Sequence, residues 1–242
     1  MEKIIKQLKC IYKAQMFLPN SFGLMINPFY LARAGLAKSI TDFSKLLEGR
    51  LLDIGCGSKP YKKLFVVDEY VGLDIDSEIT RKRKDADYLY DGKIFPLPSN
   101  SFDSALCNQV LEHVFNPDEF LSEIHRVLKP TGKMLLTVPF VWDEHEQPYD
   151  YARYSSFGLK SLLEKNGFHV LDHKKIGGDA TIIFQLINAY IFKVIQNWPR
   201  LIRIMLTISL IALVNILGVI LGWLLPKNED LFLDQIMLVE KR

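Results

Sequence analysis

Residues 51–61 read LLDIGCGSKPY, and this stretch decides the fold. An apolar run through Leu51, Leu52 and Ile54 ends in the glycine turn Gly55-Cys56-Gly57. Nineteen residues past Gly55, a second apolar run, Tyr70-Val71-Gly72-Leu73, ends in Asp74. A strand, a glycine turn and an acid closing the next strand are the layout of a nucleotide-type site on a doubly wound sheet. Glycine admits close backbone approach to a ligand, and the acid accepts bonds from two ribose hydroxyls. Pro60 stands where a dinucleotide fingerprint needs its third glycine, and no Gly-Lys-Ser/Thr of a P-loop follows. The expected ligand therefore carries a ribose but no pyrophosphate.

Further along, strands are expected near 50–54, 70–74, 103–108, 133–139, 168–176 and 231–239. Helices are expected near 60–66, 78–84, 117–128 and 155–166. This alternation implies a parallel sheet with helices on both faces. Asn116 and Pro117 mark a helix start, with Asn116 the expected cap, and Lys129-Pro130-Thr131-Gly132 marks its stop. Asp76 is the expected cap of the helix after the second strand, with Asp74 as the alternative. Residues 1–49 read as helices broken at Pro19-Asn20 and Asn27-Pro28. In the first of them Ile4, Ile5, Leu8, Ile11, Tyr12 and Met16 recur at helical spacing opposite Lys3, Lys6, Lys9 and Lys13. Such a helix either docks on its own domain or lies on an anionic membrane surface. The lysines exclude a signal peptide.

Four stretches in order resemble the class I S-adenosylmethionine-dependent methyltransferases, in particular the methyltransferase type 11 subgroup. They are the glycine turn with Asp74, then Asp91 to Asp103 (DGKIFPLPSNSFD), Ala105 to His113 (ALCNQVLEH), and Glu123 to Pro139 (EIHRVLKPTGKMLLTVP). The ordered set spans roughly residues 50–170. The resemblance implies a Rossmann-like α/β fold with a seven-stranded, mostly parallel sheet of order 3-2-1-4-5-7-6, the last strand antiparallel. It divides the chain into an N-terminal helical segment (1–49), a core (50–178), an apolar helical insertion (179–228) and the last strand (229–242). The implied cofactor is S-adenosyl-L-methionine. The expected cofactor-binding residues are Asp53, Gly55, Cys56, Gly57, Asp74, Ile75, Asp91, Gly92, Asn108 and Gln109. Of these, Asp53 orients the loop and the ligand's amino group, Asp74 holds the ribose, and Asp91 meets the adenine amino group. Phe102 and Asp103 read as structural.

Methyl transfer is an in-line displacement at sulfur, so orientation in a dry pocket carries much of the rate. A base is needed where the acceptor is a hydroxyl. The loop 140–151 puts His145 at the carboxyl edge of the sheet, with Glu144 or Glu146 to orient it; His113 is the other candidate. The amine-methylation signature, Asn or Asp followed by Pro-Pro and an aromatic, is absent after the fourth strand, where Asn108-Gln109-Val110 stands. Tyr149-Asp150-Tyr151-Ala152-Arg153-Tyr154 resembles a bacterial subgroup associated with surface-glycan pathways. The expected reaction is methylation, as O-methylation, of a small-molecule or glycan acceptor, with a lipid-linked one included. The alternatives are a non-catalytic cofactor-binding or membrane-associated scaffold, and a NAD-dependent oxidoreductase on a related fold.

The formal charge of +2 gives no reason to expect nucleic acid, and Arg81-Lys82-Arg83-Lys84 reads as a solvated helix end. Cys10, Cys56 and Cys107 lack metal-ligand spacing, so no metal is expected and a cytoplasmic setting suits them. Residues 201–225 hold one charge, Arg203, in 25 positions, long enough to cross the ~30 Å hydrocarbon core of a bilayer. A single crossing would separate the last strand from its sheet. The open alternatives are a hairpin bent near Asn215 or Gly218, a pair with 180–198 (a poor span for its Gln185, Asn188, Lys193 and Gln196), and a soluble helical cap.

Overall fold

The structure, a computed structural model, describes the backbone of residues 2–242; for residues 2–6, 8 and 9 the side chains are not described. The apolar face expected through Ile4, Ile5 and Leu8, and the lysines at 3, 6 and 9, therefore lie outside the described side chains. Two compact units emerge. One holds residues 1–39, 141–143 and 175–234, and the other holds 40–140, 144–174 and 235–242. The grouping differs from the four expected segments: residues 40–49 join the core, and the N-terminal helices share a unit with the apolar insertion.

The second unit carries the sheet. Its strands are β1 (Arg50–Ile54), β2 (Glu69–Ile75), β3 (Tyr88–Tyr90), β4 (Phe102–Asn108), β5 (Leu128–Pro139), β6 (Phe168–Ile176) and β7 (Asp234–Lys241). Their order is β3-β2-β1-β4-β5-β7-β6, as expected. β1 pairs in parallel with β2 and β4, β2 with β3, and β4 with β5. The last strand runs against β6. Leu233 N–H donates to Ile176 C=O at one end and Arg242 N–H to Gly167 C=O at the other, a register only an antiparallel pair gives. β1 is buried on both faces, with Leu51, Leu52 and Ile54 fully buried and Asp53 the one buried acid among them, as a central parallel strand beside a ligand edge can be.

The helices of this unit follow local rules. α5 (Pro117–Val127) buries Phe120, Leu121, Ile124 and Val127, one stripe at helical spacing, with Pro117 at its first turn. Asn116 sits at the cap position but its side chain bonds Glu119 and caps nothing. α4 (Glu78–Arg83) is capped by Ser77 in a capping box with Thr80, while Asp76 pairs with Arg81. The expected cap is thus one residue early; Ser77 wins because its hydroxyl reaches the Thr80 N–H while Asp76 is claimed by a cation. Of the expected 60–66 helix only a short turn at Lys62–Leu64 forms, and α6 (Ser156–Lys165) starts at the Ser155 cap.

The first unit is helical: α1 (Glu2–Phe17), α2 (Gly23–Ile26), the start of α3 (Tyr30–Ser44), α7 (Thr181–Ile195) and α8 (Arg200–Leu224), the last with a wide turn at Thr207–Ile211. The breaks at Pro19-Asn20 and Asn27-Pro28 stand as expected. α1 docks by its C-terminal end, where Gln15 is buried and its carbonyl accepts from the Asn27 side chain at 2.8 Å. The apolar segment does not bend at Asn215 or Gly218. α8 continues through both, and the chain reverses instead at 196–199, with α7 as the antiparallel arm.

Candidate active site

The carboxyl edge of β1, β2 and β4 is where the sheet order reverses from β1 toward β4, the place an open α/β sheet binds its ligand. Gly55 and Gly57 both hold left-handed backbone, φ +67 and +53. A Cβ on Gly55 would lie 2.4 Å from Val110 Cγ2, so only glycine lets the turn after β1 close against the loop after β4. The Gly55 and Cys56 amides donate to the Leu73 carbonyl at 2.8 and 3.1 Å, tying the turn to β2.

Asp74 completes that tie. Its Oδ2 accepts from the Gly57 amide at 3.1 Å and its Oδ1 from the Ile75 amide at 2.9 Å. Burial raises its pKa, partly offset by those two N–H groups and the Arg83 charge. It caps no helix. Asp53, on β1, is buried and accepts from the Tyr70 hydroxyl at 2.7 Å. Burial pushes its carboxyl up to about 7 against the pull of Tyr70 and Lys59, with Asp74 pushing the same way as burial. Burial also raises the Cys56 thiol to about 12, so Cys56 is packing and not a nucleophile.

Ile75 closes β2 with half its surface exposed, and Gly92 (φ +88) lies beside it, a Cβ there standing 3.7 Å from Ile75 Cδ1. Asp91 is exposed and accepts from the Lys93 and Ile94 amides, which lower its pKa. Asn108 and Gln109 converge on Thr137 of β5: the Thr137 hydroxyl donates to Asn108 Oδ1 at 2.8 Å, and the Gln109 amide reaches Thr137 at 3.0 Å. Gln109 takes φ +55 to do so. All ten expected cofactor residues therefore lie in or just after the carboxyl ends of β1, β2, β3 and β4, along one sheet edge. The donor set fits an adenosyl amino acid: a part-buried carboxylate at a strand end, an exposed apolar side chain with a glycine beside it, and a glycine turn with room for a ligand main chain. Sequence reading missed Tyr70, Val110 and Thr137, which hold Asp53, the glycine turn and Asn108.

Next to these loops stands a second group. The His113 and His145 rings meet edge to face with centroids 4.8 Å apart. His113 Nδ1 lies 2.6 Å from the Tyr149 carbonyl, so that nitrogen is the donor. His145 Nδ1 lies 3.3 Å from Asp150 Oδ2, and the same oxygen accepts from the His145 amide at 3.0 Å. Arg153 grips Asp150 with both terminal nitrogens at 2.6 and 2.7 Å and holds its carboxyl well below the usual range. The acid that orients His145 is thus Asp150, where Glu144 or Glu146 was expected; Glu144 is exposed and takes a bond from Gln147. Glu112 is fully buried beside His113, and one donor atom each from Glu112, His113 and His145 falls within 4.8 Å, a set able to hold a metal ion where none was expected. Trp142 and Asp143 of the same loop belong to the other unit, with Phe29 and Lys193 as their partners.

A surface hollow of about 680 Å³ lined by Gly49, Asp103 and Lys133 lies at the amino edge of the strands, opposite the ligand edge.

The Methyltransferase domain family matches residues 52–136. An uncharacterized protein of Methanocaldococcus jannaschii is 35% identical over 94 residues, 38% of this chain and 45% of the relative. A probable S-adenosylmethionine-dependent methyltransferase of Mycolicibacterium smegmatis is 32% identical over 136 residues, 50% of this chain and 52% of the relative. The chain thus spans about half the length of the curated relatives it matches. Among solved structures, the [4+2]-cyclase SpnF superposes with TM-score 0.55 at 21% identity, over 85% of this chain and 80% of that one, a likeness of fold. Residues 52–136 thus resemble the methyltransferase domain of the class I S-adenosylmethionine-dependent methyltransferases, with the glycine turn and Asp74 at its ligand edge. The cofactor of that class is S-adenosylmethionine, and the residues on this sheet edge fit it.

Proposed function

We propose that this chain transfers a methyl group to a hydroxyl of a small-molecule or glycan acceptor. The observation that carries the acceptor chemistry is the His145–Asp150–Arg153 series beside the cofactor edge. When bound, S-adenosylmethionine supplies an electrophilic methyl on sulfur. The chain's own residues do the rest. Asp74 and Gly57 fix the nucleoside, and Asp53 faces the amino acid end. An unactivated hydroxyl needs its proton removed as the oxygen attacks. With Nδ1–H directed at Asp150, Nε2 of His145 carries the lone pair and takes that proton. The Asp150 carboxylate, kept ionised by Arg153, stabilises the imidazolium that forms. His113, its Nδ1–H on the Tyr149 carbonyl, packs against the ring and fixes its tilt.

The test is transfer of labelled methyl to nucleotide sugars and polyprenyl-linked sugars by the full chain and by His145→Gln. Removing a general base lowers turnover by on the order of a hundredfold or more, with S-adenosylhomocysteine binding retained. Transfer unchanged in the variant would remove His145 as the base. Binding without transfer to any acceptor would support the scaffold alternative, and binding of NADH in its place the oxidoreductase alternative. Turnover abolished by a chelator and restored by zinc would reassign Glu112, His113 and His145 to a metal.

A further inference from the structure

We infer that the α7–α8 hairpin is a membrane seat: its outer face lies in the interfacial region of one bilayer leaflet, with no crossing. The inference concerns the helical unit alone and does not rest on the methyl-transfer reading.

The two helices pack antiparallel through small and polar positions. A Cβ on Gly218 would lie 2.9 Å from Phe184 Cβ, and one on Gly222 would lie 2.6 Å from Thr181 Cγ2. Of the polar side chains that make 180–198 look like a poor span, Gln185 and Asn188 turn to this inner side, while Lys193 and Gln196 are exposed near the turn. Gln185 is fully buried, donates to the Pro28 carbonyl at 3.0 Å and accepts from the Ala32 amide at 3.1 Å. Asn188 donates to Asn215 Oδ1 at 2.9 Å, and Asn215 donates to the Leu24 and Asn27 carbonyls, each at 3.0 Å. Over residues 182–192 and 210–224, what remains outside is apolar. α7 exposes Ile183, Ile187 and Tyr190; α8 exposes Leu213, Ile216 and Ile220.

α8 is 25 residues long, and its most apolar 18-residue window has a mean hydropathy of 2.7 and is only 22% buried. A core helix of that composition would be enclosed. At 1.5 Å per residue the helix is roughly 37 Å long, and two such faces side by side expose about 600 Å² or more, at or above the largest apolar patch of an ordinary soluble monomer. Between Arg203 and Lys227 the sequence has no ionisable side chain, so the face offers a partner protein no charged anchor. Its margins are those of a membrane interface: Trp198 at the 196–199 turn, Trp223 (84% exposed) at the far end, and Arg200, Arg203 and Lys227 beyond the apolar stretch. Seating and not crossing follows from the inner face. Residues 24–32 cover the middle of the hairpin with hydrogen-bonded backbone and Asn27, which a lipid-surrounded pair could not carry. The chain also enters at 181 and leaves at 224 from the same end of the hairpin, so both flanks stay on one side.

Flotation of the full chain with vesicles of phosphatidylcholine and phosphatidylglycerol, in high salt, tests the seat. Wild type is expected to float. Leu213→Glu with Ile216→Glu and Ile220→Glu, all on the outer face, is expected to lower partition on the order of a hundredfold with helix content unchanged. A folded wild-type monomer or dimer left at the bottom of the gradient would overturn the proposal, as would undiminished flotation of the triple variant. Should that variant not fold, quenching of wild-type tryptophan fluorescence by brominated lipid gives the same decision. Quenching that falls in Trp223→Phe supports the seat, and none in wild type overturns it. An impermeant maleimide added outside sealed vesicles is expected to label Asn197→Cys in a Cys10→Ser background; protection of that cysteine would mean a crossing and refute the seated geometry.

Discussion

Asp53→Asn isolates the cost of a buried carboxyl at the cofactor edge. Asp53 is 4% exposed, and its carboxyl titrates near 7 in the folded chain against 3.8 for an ordinary aspartate. The folded state therefore holds the proton more tightly than the unfolded chain. Stability is full below the ordinary aspartate range, falls as pH rises from about 4 through about 7, and is flat above. A gap of roughly three units at ~1.4 kcal/mol each sets an upper value of about 4 kcal/mol. For a chain of this size that is on the order of 10 °C in Tm. Asparagine keeps an acceptor for the Tyr70 hydroxyl and does not titrate, so whatever it costs is constant with pH. The assay is thermal unfolding of both proteins from pH 5 to pH 8.5. Wild type is expected to lose several degrees across that range relative to the variant. Parallel curves would refute the buried-acid argument. Binding of S-adenosylhomocysteine adds a second readout, because its ammonium group favours the ionised carboxyl. Calorimetry at pH 6 in buffers of different ionisation enthalpy should show proton release that Asp53→Asn abolishes.

Asp74→Ala removes the carboxylate expected to accept from two ribose hydroxyls and should weaken S-adenosylhomocysteine binding on the order of a hundredfold or more in a titration, at about 1.5–3 kcal/mol per bond to a charged group. Gly55→Ala meets both a left-handed backbone and Val110 Cγ2 at 2.4 Å, and should cost roughly 2–3 kcal/mol in urea unfolding; adding Val110→Ala should return the part due to the clash but not the part due to φ. Asn215→Leu strands the Leu24 and Asn27 carbonyls and should destabilise the helical unit by about 3 kcal/mol, read as faster proteolysis between 180 and 230.

That the candidate cofactor residues share one sheet edge was legible because the parts of that edge are local or strictly spaced. A glycine turn and the acid closing the next strand are fixed by backbone geometry within some 25 residues, and the sheet order came with the resemblance. The tight neighbours of those parts were not legible. Thr137 and Tyr70 reach Asn108 and Asp53 from other strands, and nothing in their sequence context marks them. β3, three residues at the sheet margin, is too short for alternation to reveal. Proximity in sequence misled at His145, where Glu144 and Glu146 are adjacent but the chain folds back to bring Asp150 onto the ring. A neighbour along an irregular loop points away as often as toward, whereas a residue five positions on can close a turn.

The apolar insertion shows the other limit. Counting polar residues made 180–198 a poor lipid-facing segment, yet Gln185 and Asn188 lie at the spacing of one helical face, and their partners, Pro28, Ala32 and Asn215, are contributed from elsewhere in the same unit. The Gln185 amide is bonded at both ends and costs little to bury, Asn188 is held by its donor end, and the same bonds fix which side of the helix faces inward. At Gln185 and Asn188 the polarity that seemed to argue against a lipid contact is then what leaves the opposite side of that stretch apolar, with Lys193 and Gln196 exposed only near the turn. Composition sets how much a helix would lose by exposing its polar groups; only the arrangement of their partners decides whether it must expose them.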